Sequence, residues 1–431
     1  MRLNLSLRRA VAIAFLIAVI LPDAGLAATV GRIEIEGAAT RPEAIQALLD
    51  TRVGAQFDAG VWERDLRRLR NLDYFYDVEG TAREVDGKME LRLNLRNKFS
   101  TLPVFKFKRG GGSSLITAGL YEINFLDRLL EVGGQYERFN GKPGYALWFR
   151  HPYLFSRRNR FGAEVIAHTV DLPLLTDRGE EEAYFENKET RWNGRLQREL
   201  AESLRVGVEF SVYQNDYKRD DGTADKTARN DRFQRMTTLH SGRTVSVTPS
   251  VSLGRLDRDR YFVFGHEGLA QVELAHRSLG SSFAFAKGQV GVTGGWRPAE
   301  RWNLLYQAKL GSKTGREFQH KFYLGGLDTS RGFLDRQFRG EHMWLVNLEA
   351  RPTLVEKPLW VLQGALFTDL AKTWDARNFG VDGFGRPIVS YGAGARLIFP
   401  RVYRAILRLD AARTQSPVKQ YGISLGLQQF F

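Results

Sequence analysis

The chain has 431 residues, a formal charge of +14 at pH 7 and no cysteine. The missing thiols exclude a disulfide framework and thiolate metal centres, and beyond residue 27 no apolar run approaches the ~20 residues that a spanning helix needs. A basic excess of this size points to anionic partners or to a charged, water-filled interior. In an exported chain those anions are lipid headgroups and lipopolysaccharide, and nucleic acid is not expected.

The N-terminus reads as an export signal. Arg2, Arg8 and Arg9 form a basic n-region, Ala10 to Leu21 is an unbroken apolar run, and Gly25 and Ala27 are small residues suited to cleavage. Because the run is too short to span, removal near Ala28 is expected over a retained anchor. Removing Arg2, Arg8, Arg9 and Asp23 leaves a charge of +12, and no cysteine offers a lipidation site.

Residues 28–98 predict a small α+β domain. Val30 to Gly37 alternates like a strand ending at a glycine turn, and Pro42 sits where a helix would start, with Ile45, Leu48 and Leu49 on one face. Phe57, Val61, Leu66 and Leu69 suggest a second helix. Tyr74 to Glu79 and Met89 to Leu95 supply two more strands, joined by the hairpin signal Asp86-Gly87. A sheet this small must expose an edge.

From residue 99 to 431 the texture changes to alternating segments separated by turns and polar loops. Strands are expected near 103–110, 114–125, 128–139, 143–151, 159–170, 184–199, 203–216, 244–257, 267–279, 283–296, 301–312, 342–353, 359–371, 388–399, 403–413 and 420–431, about sixteen in all. Tyr217 to Ser241, polar and charged, is expected to be one long loop. Tyr421, Ile423, Leu425 and Leu427 face one way, and Gly422, Ser424 and Gly426 the other. A soluble sandwich would alternate too. Two features favour an all-β transmembrane barrel: Trp and Tyr near the ends of the apolar faces, and the terminal Phe430-Phe431 on the last strand. Hydrocarbon forbids open edges, so such a sheet must close.

The segment Leu324 to Phe333, containing Arg331-Gly332-Phe333, resembles the Arg-Gly-Phe loop of the BamA/TamA-type outer-membrane assembly and translocation barrels, and it falls after about eleven strands and before five. Leu348-Glu349, and Phe367-Thr368-Asp369 with Trp374-Asp375, resemble the acidic positions that receive the loop arginine in that family. Asn124-Phe125-Leu126 and His151-Pro152-Tyr153-Leu154-Phe155 resemble its second- and fourth-strand ends, and residues 28–98 are similar to its periplasmic POTRA module. Three departures stand out: Ala371 where the Phe-x-Asp motif usually continues to glycine, a single POTRA, and no plug helix or proline-rich linker of the two-partner secretion kind.

Parity tests part of this independently. Trp344, Val346, Leu348 and Ala350 make one face apolar, which turns Asn347, Glu349 and Arg351 inward; Leu362, Gly364, Leu366 and Leu370 do the same for Gln363, Phe367 and Asp369. The resemblance then implies a loop lock formed by Arg331, Gly332, Phe333, Glu349, Phe367 and Asp369. It also implies a catalyst of protein insertion or translocation, with unfolded clients and accessory subunits as partners, a passive pore or secretion channel being the alternative. The barrel seam is expected where Val104, Phe105, Lys106 and Phe107 meet Phe430 and Phe431. The client-binding edge is expected at Tyr74, Phe75, Tyr76, Asp77 and Val78, by β-augmentation. No cofactor, metal site or enzyme activity is expected: there is no Gly-x-Ser-x-Gly elbow, the seven histidines lack metal spacing, and Gly311-Ser312-Lys313-Thr314 lacks the earlier glycine of a phosphate loop.

Overall fold

A strand that turns leucine outward and arginine inward cannot line a water-soluble core, and Ile406–Ser416 does that without interruption. Leu407 and Leu409 are exposed whereas Arg408, Asp410 and Thr414 are buried. The same inversion puts Leu348, Leu366, Ile423 and Leu425 outside and Asn347, Gln363, Ser390 and Arg396 inside. Hydrocarbon on one side and a polar lumen on the other produce this pattern.

The computed structural model describes residues 28–431 except 111–112, 140, 220–221, 238, 327, 376–384 and 428–431, and the side chains of 105–115 and 427 are also outside the description. The expected signal segment and Phe430-Phe431 therefore lie outside the described residues.

The N-terminal domain comprises β1 (Thr29–Glu36), α1 (Pro42–Gln46), α2 (Ala59–Asn71), β2 (Phe75–Val85) and β3 (Lys88–Asn97). Its sheet has the order β1-β3-β2, parallel on one side of β3 and antiparallel on the other. Asp86 and Gly87 both have positive φ, 51° and 72°, the geometry of a two-residue type I′ turn. Asp58 caps α2 by accepting from the Val61 amide. The helix buries Trp62, Leu66 and Leu69 on the sheet, beside Ile45, Leu48 and Leu49.

The barrel strands are β4 (Thr101–Gly110), β5 (Ser113–Phe125), β6 (Leu130–Phe139), β7 (Lys142–His151), β8 (Asn159–Leu175), β9 (Glu181–Ala201), β10 (Leu204–Arg219), β11 (Gly242–Asp259), β12 (Phe262–Ala275), β13 (Phe285–Ala299) and β14 (Trp302–Lys313). After the hairpin β15 (Phe322–Leu324) and β16 (Phe338–Gly340) come β17 (His342–Glu356), β18 (Val361–Trp374), β19 (Ile388–Ile398), β20 (Ile406–Ser416) and β21 (Tyr421–Leu427). Sixteen of these form one antiparallel sheet in chain order, β14 pairing with β17 across the intervening hairpin. Its ends, β4 and β21, come together to make a transmembrane barrel. No described helix is long and apolar enough to cross a membrane.

Two expectations need correction. Tyr217 to Ser241 is not all loop: β10 runs on to Arg219, and α3 (Ala224–Met236) follows, because Thr223 caps its start and Phe233 packs on Phe185 and Phe318. The strand placed at 403–413 begins only at Ile406, since Phe399 to Ala405 forms a turn closed by backbone hydrogen bonds.

That turn meets the N-terminal domain. Tyr403, Leu102, Ile123 and Leu129 from the barrel join Val30, Trp62, Tyr74 and Leu91 in one apolar cluster. Polar contacts surround it: Thr40 donates to Asn124 (3.2 Å), the Arg41 amide to the Asp127 carbonyl (2.8 Å), Asn71 to Asp257 (2.7 Å), and Arg64 pairs with Glu202 (2.7 Å). Helix α2 thus floors the lumen at the near rim.

Candidate functional site

The connection from β14 to β17 folds back into the lumen at the far rim. Phe322, Leu324, Phe333 and Phe338 pack on Met343, Leu345, Ala371 and Ile388 of the wall, and the Phe333 and Phe338 rings meet edge-on at 5.0 Å. This apolar burial places Arg331, next to Phe333, against β17 and β18.

Arg331 is wholly buried. Its Nε and Nη2 donate to the two oxygens of Asp369 at 2.8 and 2.7 Å, its Nη1 donates to Glu349 at 2.5 Å, and its amide also reaches Asp369 at 3.0 Å. The guanidinium lies 3.5 Å from the centre of the Phe367 ring, close enough for a cation–π contact. Register explains the convergence: Asn347 stands opposite Asp369 and Glu349 opposite Phe367, so four inward side chains form one square. Asn347 donates to both Asp369 and the Thr329 carbonyl at 2.8 Å.

The charge network extends further than the loop. Glu349 turns its second oxygen to Arg351 (2.6 Å) and Arg396 (3.0 Å), and Arg396 donates onward to Asp410 (2.7 Å). Arg396 and Asp410 were not among the expected site residues, although their inward parity was readable. What parity cannot show is which neighbouring strands bring them within reach of Glu349.

Gly332 places the loop tip. Its φ of 86° disfavours other residues, and a Cβ there would stand 2.9 Å from Thr414 and 3.0 Å from Ala412. Its carbonyl accepts from Gln420 at 2.9 Å, and a Cβ on Gly422 of β21 would come within 2.8 Å of the Gly332 Cα. The tip is therefore pressed onto the last strand. The rest of the loop reaches the opposite wall, where Gln337 and Arg339 donate to the carbonyls of Asp177 (3.0 Å) and Leu175 (2.6 Å), and Arg339 also pairs with Glu182. Below it, His320 stacks on Phe285 at 4.3 Å; burial, reinforced by Lys287 and Lys313, pushes its pKa down to about 3.

A model of the Omp85 superfamily domain matches residues 124–431, and one described as a surface antigen variable number repeat, the POTRA domain, matches residues 28–98. The chain belongs to the Omp85 superfamily. Among curated protein sequences none matches it. Solved structures with the same fold include BamA from Haemophilus ducreyi lacking POTRA domains 1–3 (15% identity, 94% of this chain and 84% of that one, TM-score 0.56) and CdiB from Acinetobacter baumannii (14%, 93% and 74%, 0.61). CdiB from Escherichia coli is similar at 12% identity over 93% and 75%, with a TM-score of 0.63. The protein is thus an Omp85 outer-membrane barrel with a POTRA domain, of the protein insertion and transport class.

The other expected sites of this Omp85 barrel fare differently. Val104, Phe105, Lys106 and Phe107 lie on β4, one end of the sheet, and among the described residues no hydrogen-bonded ladder joins β4 to β21. Strand β2 is an edge of the POTRA sheet, but the stretch from Tyr74 to Val78 is not its open part. Tyr74, Phe75 and Val78 are buried, Tyr74 lies 5.6 Å from the Tyr403 ring, and Arg401 covers Tyr76. Barrel contact shifts the exposed edge toward Glu79–Val85.

Proposed function

We propose that this protein inserts or translocates client polypeptides at the outer membrane, with the POTRA domain in the periplasm and no covalent step. Omp85 proteins are transporters or insertases rather than enzymes. The observation that carries the reading is Arg331, buried in the lumen between Asp369 and Glu349 while the adjoining Gly332 touches the last strand. In this role the loop is a lock. It holds β20 and β21 in register, and the boundary between β21 and β4 is the seam at which a client hairpin pairs. The exposed edge of β2 beyond Val78 receives extended clients by backbone pairing. Accessory periplasmic or lipoprotein subunits, outer-membrane lipids and lipopolysaccharide complete the expected partners.

A passive pore fits less well, because the 314–341 loop occupies the lumen at the far rim and α2 floors it at the near rim. Depletion of the protein tests the proposal. Falling levels of other outer-membrane barrels would support insertion, and periplasmic retention of one exported partner would support secretion. Unchanged levels of both, with altered solute uptake, would sink the proposal in favour of the pore.

A further inference from the structure

Beneath the loop site, at the near rim, a chamber of about 700 Å³ separates α2 from the barrel wall, within the ~300–1,000 Å³ typical of ligand sites. Nine arginines line it, and seven hold a carboxylate, as in Arg64 with Glu202, Arg205 with Glu267 and Arg255 with Asp257. Arg160 and Arg404 have no carboxylate within 4.0 Å among the described residues. Two phenols complete the set: Tyr74 and Tyr403 are 6% and 5% exposed, line the chamber, and make no hydroxyl hydrogen bond within the described residues. Burial holds both phenols above their ordinary pKa, so they are protonated donors.

These donors come from three separate segments: Tyr74 from the POTRA domain, Tyr403 and Arg404 from the turn after β19, and Arg160 from β8. Nine arginines against six glutamates give the lining a net charge of +3, Arg404 is exposed and stacks on the Tyr403 ring at 4.9 Å, and a cavity of that sign favours an anion. The acceptor that suits donors arriving from several directions is tetrahedral. A carboxylate offers two oxygens in one plane, whereas a phosphate offers three or more, and arginine forks match it in pairs.

We infer that this chamber binds a compact phosphate-bearing anion through Arg160, Arg404, Tyr74 and Tyr403, and that the bound anion fastens the POTRA domain to the barrel. The phosphate belongs either to a small soluble molecule or to a lipid headgroup. Nothing in the proposed insertion role requires this site.

Isothermal titration calorimetry on the full chain in uncharged detergent tests the inference, with sodium pyrophosphate as one titrant, phosphatidylglycerol-doped micelles as a second and an oligo-aspartate peptide as a third. Saturable binding of pyrophosphate identifies a soluble source, and binding of the doped micelles alone identifies a headgroup. In either case Arg160→Ala weakens binding about tenfold, the size of one charge-assisted hydrogen bond. Tyr403→Phe keeps the ring that packs on Tyr74, so it folds even if the arginine variant does not, and it weakens binding about threefold for the lost neutral donor. The inference is overturned if neither phosphate titrant binds, if oligo-aspartate binds more tightly than both, or if Tyr403→Phe leaves the affinity unchanged.

Discussion

The two rims of this barrel spend arginine in opposite ways. At the far rim four buried arginines, Arg331, Arg351, Arg396 and Arg408, stand among Glu349, Asp369 and Asp410, and each guanidinium nitrogen of Arg331 donates to a carboxylate. At the near rim Arg160 and Arg404 face an open chamber with no carboxylate within 4.0 Å among the described residues. A dry guanidinium requires partners already in place, because the desolvation cost is met only by short, oriented bonds. A hydrated one retains the capacity to take a ligand or to release it. The first arrangement therefore suits a fixed loop and the second an exchangeable contact.

The comparison breaks most clearly at Arg331. Arg331→Ala strands Asp369 and Glu349 without their shared donor, a loss of about 3–5 kcal/mol for a buried pair deprived of one partner. The expected result is a barrel that still shows heat-modifiable migration but unfolds at lower urea and assembles slowly, checked by denaturant titration and pulse-chase. Arg331→Lys should recover little, since one ammonium cannot span both Asp369 oxygens and cover Phe367. Wild-type urea stability in both variants would mean that the loop is merely accommodated.

At the near rim Tyr403 belongs to the apolar cluster shared with the POTRA domain, so truncation rather than charge removal tests that contact. Tyr403→Ala leaves a hole against Tyr74 and Tyr121, whose rings lie 5.6 and 6.2 Å away, at a cost of about 2–4 kcal/mol by analogy with other large-to-small changes. Limited proteolysis between Asn97 and Thr101 should accelerate while the barrel stays resistant. A smaller effect is expected at the loop tip. Gly422→Val puts a branched side chain where even a Cβ would meet Gly332 at 2.8 Å, costing about 1–3 kcal/mol by overpacking. Its readout is faster hydrogen exchange in residues 325–337, with β17 and β18 unaffected.

How much of this was legible follows from the period of each feature. Alternation is local and carries a physical cause in every residue, so the sixteen strands, the inward turn of Glu349 and Asp369 and the Asp86-Gly87 turn could be read directly. Helix α3 was missed because Ala224 to Met236 is polar almost all round, with Phe233 its one buried apolar residue, and such a stretch resembles a loop. Contacts between distant segments had no local signature. Gly332 on Gly422, Arg396 on Glu349, and Tyr74 on Tyr403 depend on the barrel's curvature and on the seating of the POTRA domain. For that reason the burial of Tyr74, Phe75 and Val78 was not expected: nothing within Tyr74 to Val78 announces that a turn some three hundred residues later lies against its start.

The mildest probe of the far rim is acid. His320 packs against Phe283 and Phe285 with Thr244 3.2 Å from its Nε2, and Lys287 and Lys313 are the charges that bear on it. Its folded pKa, about 3, lies below the ordinary value of 6.5, so the ring is neutral in the folded loop. Stability from that neutral ring is complete above pH ~6.5 and is lost as pH falls toward the folded value, by about 1.4 kcal/mol per unit at most. Between pH 6.5 and 5.5 the loss is about 1 kcal/mol, too little to unfold a barrel but enough to raise local opening of the loop severalfold. Hydrogen exchange over residues 314–324, corrected for intrinsic rates, should show that rise in the wild type. His320→Phe retains the stack and has no proton to gain, so its exchange should be flat over the same interval. A wild type as flat as the variant would mean that His320 is open to water, and that the far rim is less dry than the pairing of Arg331 implies.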